Sequence, residues 1–337
     1  MEKVIIYGAG NRGRSAYFYL KSNNKYECLF FVDSDKMKWG KVVEGLPIKP
    51  PDVLKELKDE LVLIASNNWK EILESIKEIS QLRISIFGVQ LENYLHESDQ
   101  VTKELNIRTI DLGAFMQNEE EILCKELSFI PGGSGILDYA FLKVLAQKYN
   151  CKSYLEIGTY IGESINILTD CCEKLYSITA QRQEKYSMTS WCRKRNIPDY
   201  SERLAYDSNI QHFYTDSKLF DFSKIEGEID LFFIDGDHSF EGVYADSTNI
   251  FNIKKDNAIV VWHDFRDDNM QYDQEVVCAV KAALGEKFSN VYVTNNNLCG
   301  IYIPDTYLKD FKLKPLKYSD DELLFIYDLK LTNIQAI

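Results

Sequence analysis

Short apolar runs separated by amphipathic stretches recur along the whole chain. The first, residues 3–7 (KVIIY), is followed by helical spacing over 11–21 and a second buried run at 28–32. Runs at 61–65 and 84–87 continue the series, with a charged helical stretch at 70–80 between them. Apolar runs of strand length, bounded by turns and alternating with helices, predict a parallel sheet covered on both faces. Gly45, Pro47, Pro50 and Pro51 predict a loop between the second and third strands, leading into a helix from near Asp52.

Past Leu95 this pattern stops. Residues 96–127 are charged and read as a connector, with a helix over 118–127. A glycine-rich loop at 131–135 and helical spacing over 136–149 open a second series, with strands at 153–157, 175–178, 211–214, 230–234 and 258–262. Two last strands, 290–294 and 298–303, are joined by Asn295-Asn296-Asn297, a polar turn suited to a hairpin. The expected fold is α/β, with two tandem Rossmann-like domains: residues 1–95, and residues 128–303 as a seven-stranded sheet ending in an antiparallel hairpin. Residues 304–337 are a C-terminal extension that would pack back or join a neighbouring subunit, which leaves a homo-oligomer open.

Composition narrows the class. The 337 residues are 45% apolar and 27% charged, ordinary values for a globular chain rather than a disordered one. The length suits two domains. A formal charge of −13 repels phosphate backbones and anionic lipid, so nucleic acid is not an expected partner. A small anionic ligand on a local glycine loop remains compatible with it. No apolar run approaches the roughly 20 residues of a membrane span, and the first ten residues enter a strand without the features of a secretory leader. The eight cysteines include no Cys-x-x-Cys pair, and the adjacent Cys171 and Cys172 are poorly placed for a disulfide. The expected compartment is the reducing cytoplasm.

Two glycine loops carry candidate chemistry. Gly8-Ala9-Gly10-Asn11-Arg12-Gly13 follows a strand and opens a helix. The first glycine allows a tight turn, the second lets backbone N–H groups approach a pyrophosphate, and the third lets the helix pack on the strand. Asp33 ends the next strand, twenty residues after Gly13, where a carboxylate would hold a ribose. Gly8, Gly10, Asn11, Arg12, Gly13 and Asp33 are therefore candidate nucleotide-binding residues, for NAD or a nucleotide sugar. The plainer reading is a fold that keeps its glycines without a ligand. With FFVDSDKMKWGKVVEGLPI and LVLIAS, the loop resembles the Rossmann-like module of bacterial sugar-modifying and capsule-biosynthesis proteins, over about residues 1–95.

Leu155-Glu156-Ile157-Gly158-Thr159-Tyr160-Ile161-Gly162-Glu163-Ser164 again joins a strand to a helix. Its E-x-G-x-x-x-G-x-S spacing resembles motif I of class I S-adenosylmethionine (SAM) methyltransferases, and with the terminal hairpin the resemblance runs over about residues 128–303. It implies a SAM site formed by Glu156, Gly158, Thr159, Tyr160, Gly162 and Asp235, with Asp216 and Ser217 at the adenine. The sequence departs from the family at Thr179. That strand end normally offers an acidic residue to the ribose hydroxyls; Thr179 as a cofactor-binding residue can hydrogen-bond one of them but lacks the charged acceptor that is usually the stronger partner. Gln181, Gln183 and Glu184 stand nearby as substitutes.

Asp230–His238 (DLFFIDGDH) and Val260–Phe265 (VVWHDF) each run from an apolar strand into a polar cluster. Carboxyl ends of parallel strands are where ligands bind. On neighbouring strands, about 4.8 Å apart, Asp235, His263 and Asp264 would converge on one divalent cation. Oxygen-rich donors suit Mg²⁺ or Mn²⁺, and the imidazole leaves Fe²⁺ or Zn²⁺ open. The arrangement resembles metal-dependent sugar O-methyltransferases of the macrolide-tailoring type. That resemblance implies Asp235 and Asp264 as metal ligands, His263 in place of a usual carboxylate, and His238 as general base. A helix-capping role for His238 and a structural pairing of His263 with Asp264 are the plainer readings.

These resemblances together imply an enzyme: a SAM-dependent, Mg²⁺-assisted O-methyltransferase acting on a sugar or nucleotide sugar of surface-polysaccharide synthesis. Two rivals stand beside it. One is a non-catalytic nucleotide or SAM sensor or scaffold; the other is an NAD-dependent sugar-modifying enzyme using the N-terminal domain.

Overall fold

Each series of apolar runs forms its own sheet. The computed structural model describes residues 2–22, 25–58, 60–66, 68–79, 83–87, 107–117, 119, 121–128, 130, 132–184, 187–266 and 272–314. Backbone contacts divide the chain into a first unit of Met1–Val101, His238–Ala245 and Asp273–Gly285, and a second of Thr102–Asp237, Asp246–Tyr272 and Glu286–Ile337.

In the first unit β1 (Glu2–Tyr7) leads into α1 (Asn11–Ser22) and β2 (Tyr26–Val32). β3 (Val42–Val43), β4 (Leu46–Lys49), β5 (Leu61–Ile64), α2 (Trp69–Ile76) and β6 (Arg83–Ile86) follow. The sheet order is β3-β4-β2-β1-β5-β6, parallel except for the β3–β4 pair. Val4 and Ile6 pack with Ala16, Leu20 and Phe31, whereas Ile5 and Tyr7 pack with Val62, Ile64 and Ile72. Successive side chains of a strand face opposite sides, so a strand buried on both faces reads as an unbroken apolar run.

The loop expected between the second and third strands is instead a small ribbon. Glu44 (φ 49°) and Gly45 (φ 79°) are the two central residues between β3 and β4, and two consecutive positive φ angles are what a type I′ hairpin turn requires. Pro47 precedes the residues of β4 that pair with β2, so its missing N–H costs that ladder nothing. A 3₁₀ helix over Pro51–Glu56 follows, starting on a proline whose φ suits a first turn.

The second unit opens with β7 (Arg108–Ile110), α3 (Leu112–Met116) and α4 (Ile136–Lys148). It continues through β8 (Ser153–Ile157), α5 (Glu163–Asn166), β9 (Lys174–Thr179), α6 (Met188–Arg195), β10 (Ile210–Tyr214) and β11 (Leu231–Ile234). Next come α7 (Phe240–Ile253), β12 (Ile259–Trp262), α8 (Gln274–Leu284), β13 (Val291–Thr294) and β14 (Gly300–Tyr302). The order is β10-β9-β8-β11-β12-β14-β13-β7, and β14 is antiparallel to both of its neighbours. The start of α7 and all of α8 group with the first unit, where Glu275 accepts hydrogen bonds from the Ser15 hydroxyl at 2.6 Å and the Phe240 N–H at 3.2 Å.

The α/β fold and its terminal hairpin are as expected, but the second sheet has eight strands, not seven. The added strand, β7, comes from the stretch read as connector and pairs in parallel with β13. Three residues are too few to show an alternating pattern, and the pairing partner lies far along the chain. Leu313 bridges to Ile110, and Phe311 stacks on Phe115 at 4.5 Å, so the start of the C-terminal stretch covers this edge. The helix expected over 118–127 does not form across 121–127. Ile122, Cys124 and Leu127 lean on the core from irregular chain, and the Ser128 hydroxyl anchors its end by donating to Glu163 at 2.8 Å.

The glycines of the first loop differ in what they tolerate. A Cβ on Gly13 would lie 1.8 Å from the Gly8 carbonyl oxygen, whereas one on Gly10 meets nothing within 4 Å. Gly13→Ala should therefore lower the unfolding free energy by about 1–3 kcal/mol, and Gly10→Ala should change it by less than about 0.5 kcal/mol. Urea unfolding followed by circular dichroism measures both.

Candidate active site

β8 and β11 pair in register, Ile157 opposite Ile234, and their exits then touch. Gly158 turns with φ 92°, and a Cβ there would lie 2.0 Å from the Asp235 carbonyl oxygen. Gly162 has φ 96°, and its Cβ would meet that of Ala205 at 2.5 Å. Both glycines of the motif thus have steric reasons inside the protein.

Glu156 lies fully buried under this turn. Its carboxylate accepts hydrogen bonds from Thr159 at 2.6 Å, Ser164 at 2.7 Å and Tyr154 at 2.9 Å. Burial pushes its pKa up to about 7 despite those three donors. Thr159 also hydrogen-bonds Ser177 at 2.6 Å, and the Thr179 hydroxyl donates to the Thr159 carbonyl at 3.3 Å. Glu156 and Thr179 therefore knit the turn together. The Tyr160 hydroxyl lies 3.7 Å from the Cys192 sulfur.

Past β10, Asp216 accepts from the Lys218 N–H at 2.9 Å and caps a 3₁₀ turn over Ser217–Leu219. Ser217 hydrogen-bonds Asp246 of α7, a buried carboxylate whose Oδ1 has no partner. Burial pushes the Asp246 pKa up to about 7, with Asp237 and Asp216 adding to the rise and Lys218 opposing it. Sequence reasoning missed this residue.

Asp235, His263 and Asp264 come together as the spacing predicted. One donor atom from each lies within 4.8 Å of the others. His263 Nδ1 is 3.3 Å from Asp235 Oδ1 and 3.2 Å from Asp264 Oδ1. Asp264 holds φ 49°, a left-handed conformation that costs most side chains energy but suits aspartate better than most, and its carboxylate faces His263. On the far side of the ring, His263 Nε2 lies 3.3 Å from Asp138 Oδ2, a second buried carboxylate that sequence reasoning missed. Burial opposes a charge on His263, but Asp235 and the hydrogen bonds to Asp138, Asp235 and Asp264 outweigh it and hold its pKa well above the ordinary imidazole range. Two hard oxygens and one imidazole nitrogen are a donor set that a divalent cation fits. His238 is exposed, three residues past Asp235, and groups with the first unit.

The first unit holds a cavity of about 770 Å³, lined among others by Gly8, Gly10, Asn11, Arg12, Asp33 and Lys38. It lies off the carboxyl ends of β1, β2 and β5, at the point where strand order reverses, the usual ligand position in such sheets. Asp33 is engaged there: Oδ2 accepts from the Ala9 N–H at 2.8 Å and Lys38 at 2.9 Å, and Oδ1 from the Asp35 N–H at 2.8 Å. Burial works against its charge, but those bonds and the Lys38 ammonium lower its pKa below the usual carboxylate value. Gly13 packs the helix on the strand, and Arg12 donates to the Phe87 carbonyl at 3.1 Å.

Residues 155–265 match the family model described as a methyltransferase domain, and residues 1–87 match the model described as C2185-like, N-terminal. The first match runs from β8 to just past β12 and supports a methyltransferase domain in the second unit. No curated protein matches the chain. Among solved structures, UDP-D-quinovosamine 4-dehydrogenase from Vibrio fischeri is 25% identical over 26% of this chain and 77% of its own, with a TM-score of 0.24. The TDP-rhamnose 3'-O-methyltransferase CalS11 of calicheamicin biosynthesis is 10% identical over 49% and 78%, with a TM-score of 0.36. The SAH-bound Podospora anserina methyltransferase PaMTH1 is 16% identical over 62% and 96%, with a TM-score of 0.34. Among the described residues, no helix is long and apolar enough to cross a membrane.

The raised pKa of Asp246 predicts a pH effect. Its folded value, about 7, stands above the unfolded one, so its contribution to stability is complete below about pH 4 and is lost as pH rises through 7. Asp246→Asn keeps a carbonyl for Ser217 and removes the buried charge. It should be more stable than wild type at pH 8 by on the order of 2 kcal/mol, with no such gain at pH 4, in urea unfolding at both values.

Proposed function

We propose that this chain methylates a hydroxyl of a sugar or nucleotide sugar in surface-polysaccharide synthesis in the cytoplasm, with a divalent cation, Mg²⁺ by its donor chemistry, at Asp235, His263 and Asp264. The convergence of those three side chains where β11 and β12 end, beside the turn that follows β8, carries the reading. A cation there lowers the pKa of a bound hydroxyl, and SAM supplies an electrophilic methyl group.

The protein's own groups do the rest. Gly158 and Gly162 bring backbone close to the cofactor, Glu156 and Thr159 keep that backbone rigid, and Asp216 and Ser217 stand at the adenine end. His238 takes the hydroxyl proton, a task for which imidazole suits neutral pH. Three links of chain keep its Cα within about 11 Å of that of Asp235. The cavity of the first unit takes a nucleotide, a nucleotide sugar or NAD, and residues 1–95 and 128–303 are the two functional domains.

Calorimetry on the full chain should show SAM and its demethylated product SAH binding. His238→Ala should lose about 100-fold or more of turnover while keeping its affinity for SAH. Full activity after exhaustive chelation would remove the cation from the mechanism. Absence of SAM and SAH binding at millimolar concentration would overturn the enzyme reading in favour of a non-catalytic protein.

A further inference from the structure

We infer that Asp138 is a positioning residue for the cation site: it accepts the Nε2 proton of His263 and so turns an unprotonated Nδ1 toward the cation. The inference rests on the cation site proposed above. Asp138 is the third residue of α4 and is 2% exposed. Its carboxylate is held independently of His263. Oδ2 accepts from the Gly135 N–H at 2.7 Å, and Oδ1 accepts from the Leu298 N–H at 3.1 Å and the Cys299 thiol at 3.4 Å. The entry turn of α4 and the chain between β13 and β14 thus clamp it from two sides.

His263 Nε2 faces this fixed carboxylate at 3.3 Å. A bare ring nitrogen there would set lone pair against lone pair. Nδ1 faces carboxylates in the same way, but a cation bound among them takes the place of its proton, whereas Nε2, turned toward Asp138 and away from the cation, keeps its own. Nδ1, between the Asp235 and Asp264 oxygens, is then the nitrogen left for a cation. Metal-binding imidazoles commonly donate their other N–H to a carboxylate in this way, which fixes both tautomer and ring orientation. Neither Asp235 nor Asp264 can do this for the ring, because both stand on its Nδ1 side.

The chain has four histidines, few enough for a long-range ¹H–¹⁵N spectrum of ¹⁵N-histidine-labelled full chain, with His263 assigned through His263→Gln. With Zn²⁺ as the diamagnetic probe, Nε2 should keep its proton and Nδ1 should take the metal-bound shift. Asp138→Asn should weaken Mn²⁺ binding, read by electron paramagnetic resonance, by about tenfold or more, with SAH affinity unchanged. Zn²⁺ on Nε2 with the proton on Nδ1 would overturn the inference from the wild type alone, whether or not the variant folds. A folded Asp138→Asn chain that binds Mn²⁺ as tightly as wild type would also overturn it. A wild type that binds neither ion overturns the cation site itself, and this inference with it.

Discussion

The contact between the exits of β8 and β11 governs the geometry of the second unit. Gly158 lies so close to the Asp235 carbonyl that a single methyl group would drive the two strands apart. Because it is glycine, β8 can turn away while β11 continues beside it, and the Asp235 side chain emerges next to the turn. β12 pairs with β11 in register up to Ile234 opposite Trp262, so His263 follows one strand spacing away. The acidic cluster is thus a consequence of pairing and one missing Cβ. No long loop has to find it.

That geometry is kept by buried charge and polar groups, which are costly unless satisfied. Glu156 answers with three hydroxyl donors, and Asp138 with two backbone N–H groups and a thiol in addition to His263. Lys143, 1% exposed, donates to the Ile167 carbonyl at 2.6 Å and pairs with Asp170. Asp246 is one of the exceptions among the described residues, with one carboxylate oxygen unpartnered. Its partner Ser217 belongs to the turn after β10, so the cost is paid beside the candidate adenine position.

Much of this was legible in the sequence, and the failures have physical causes. Strands buried on both faces announce themselves as apolar runs, and both glycine loops stood where a strand meets a helix. β7 was hidden because its three residues gain their meaning only from β13, nearly two hundred residues later. The β3–β4 ribbon was hidden because Gly and Pro mark a tight hairpin and an open loop alike. Asp138 and Asp246 left a signal that went unused. Asp138 shares a helical stripe with Phe141, Leu142 and Leu145, and Asp246 shares one with Val243, Ser247 and Ile250, all buried. An acid on the apolar stripe of a helix must find partners in the core, and such partners are often the polar residues of a site.

The two glycine loops use their acids differently. Asp33 is tied to Lys38 and to the backbone of Ala9 and Asp35, which leaves little of its carboxylate for a ribose, yet it borders an open cavity. In the second unit the same position is Thr179, which binds the turn after β8. Glu156, Thr159 and Ser177 are likewise turned inward, hydrogen-bonded to one another beneath the turn. The carboxylates of Asp235 and Asp264 are 23% and 30% exposed, and they flank a nitrogen whose ring is held from behind. The inward residues make the turn stiff, and under the proposed function Asp235 and Asp264, which also face His263, are the groups that would meet the cation.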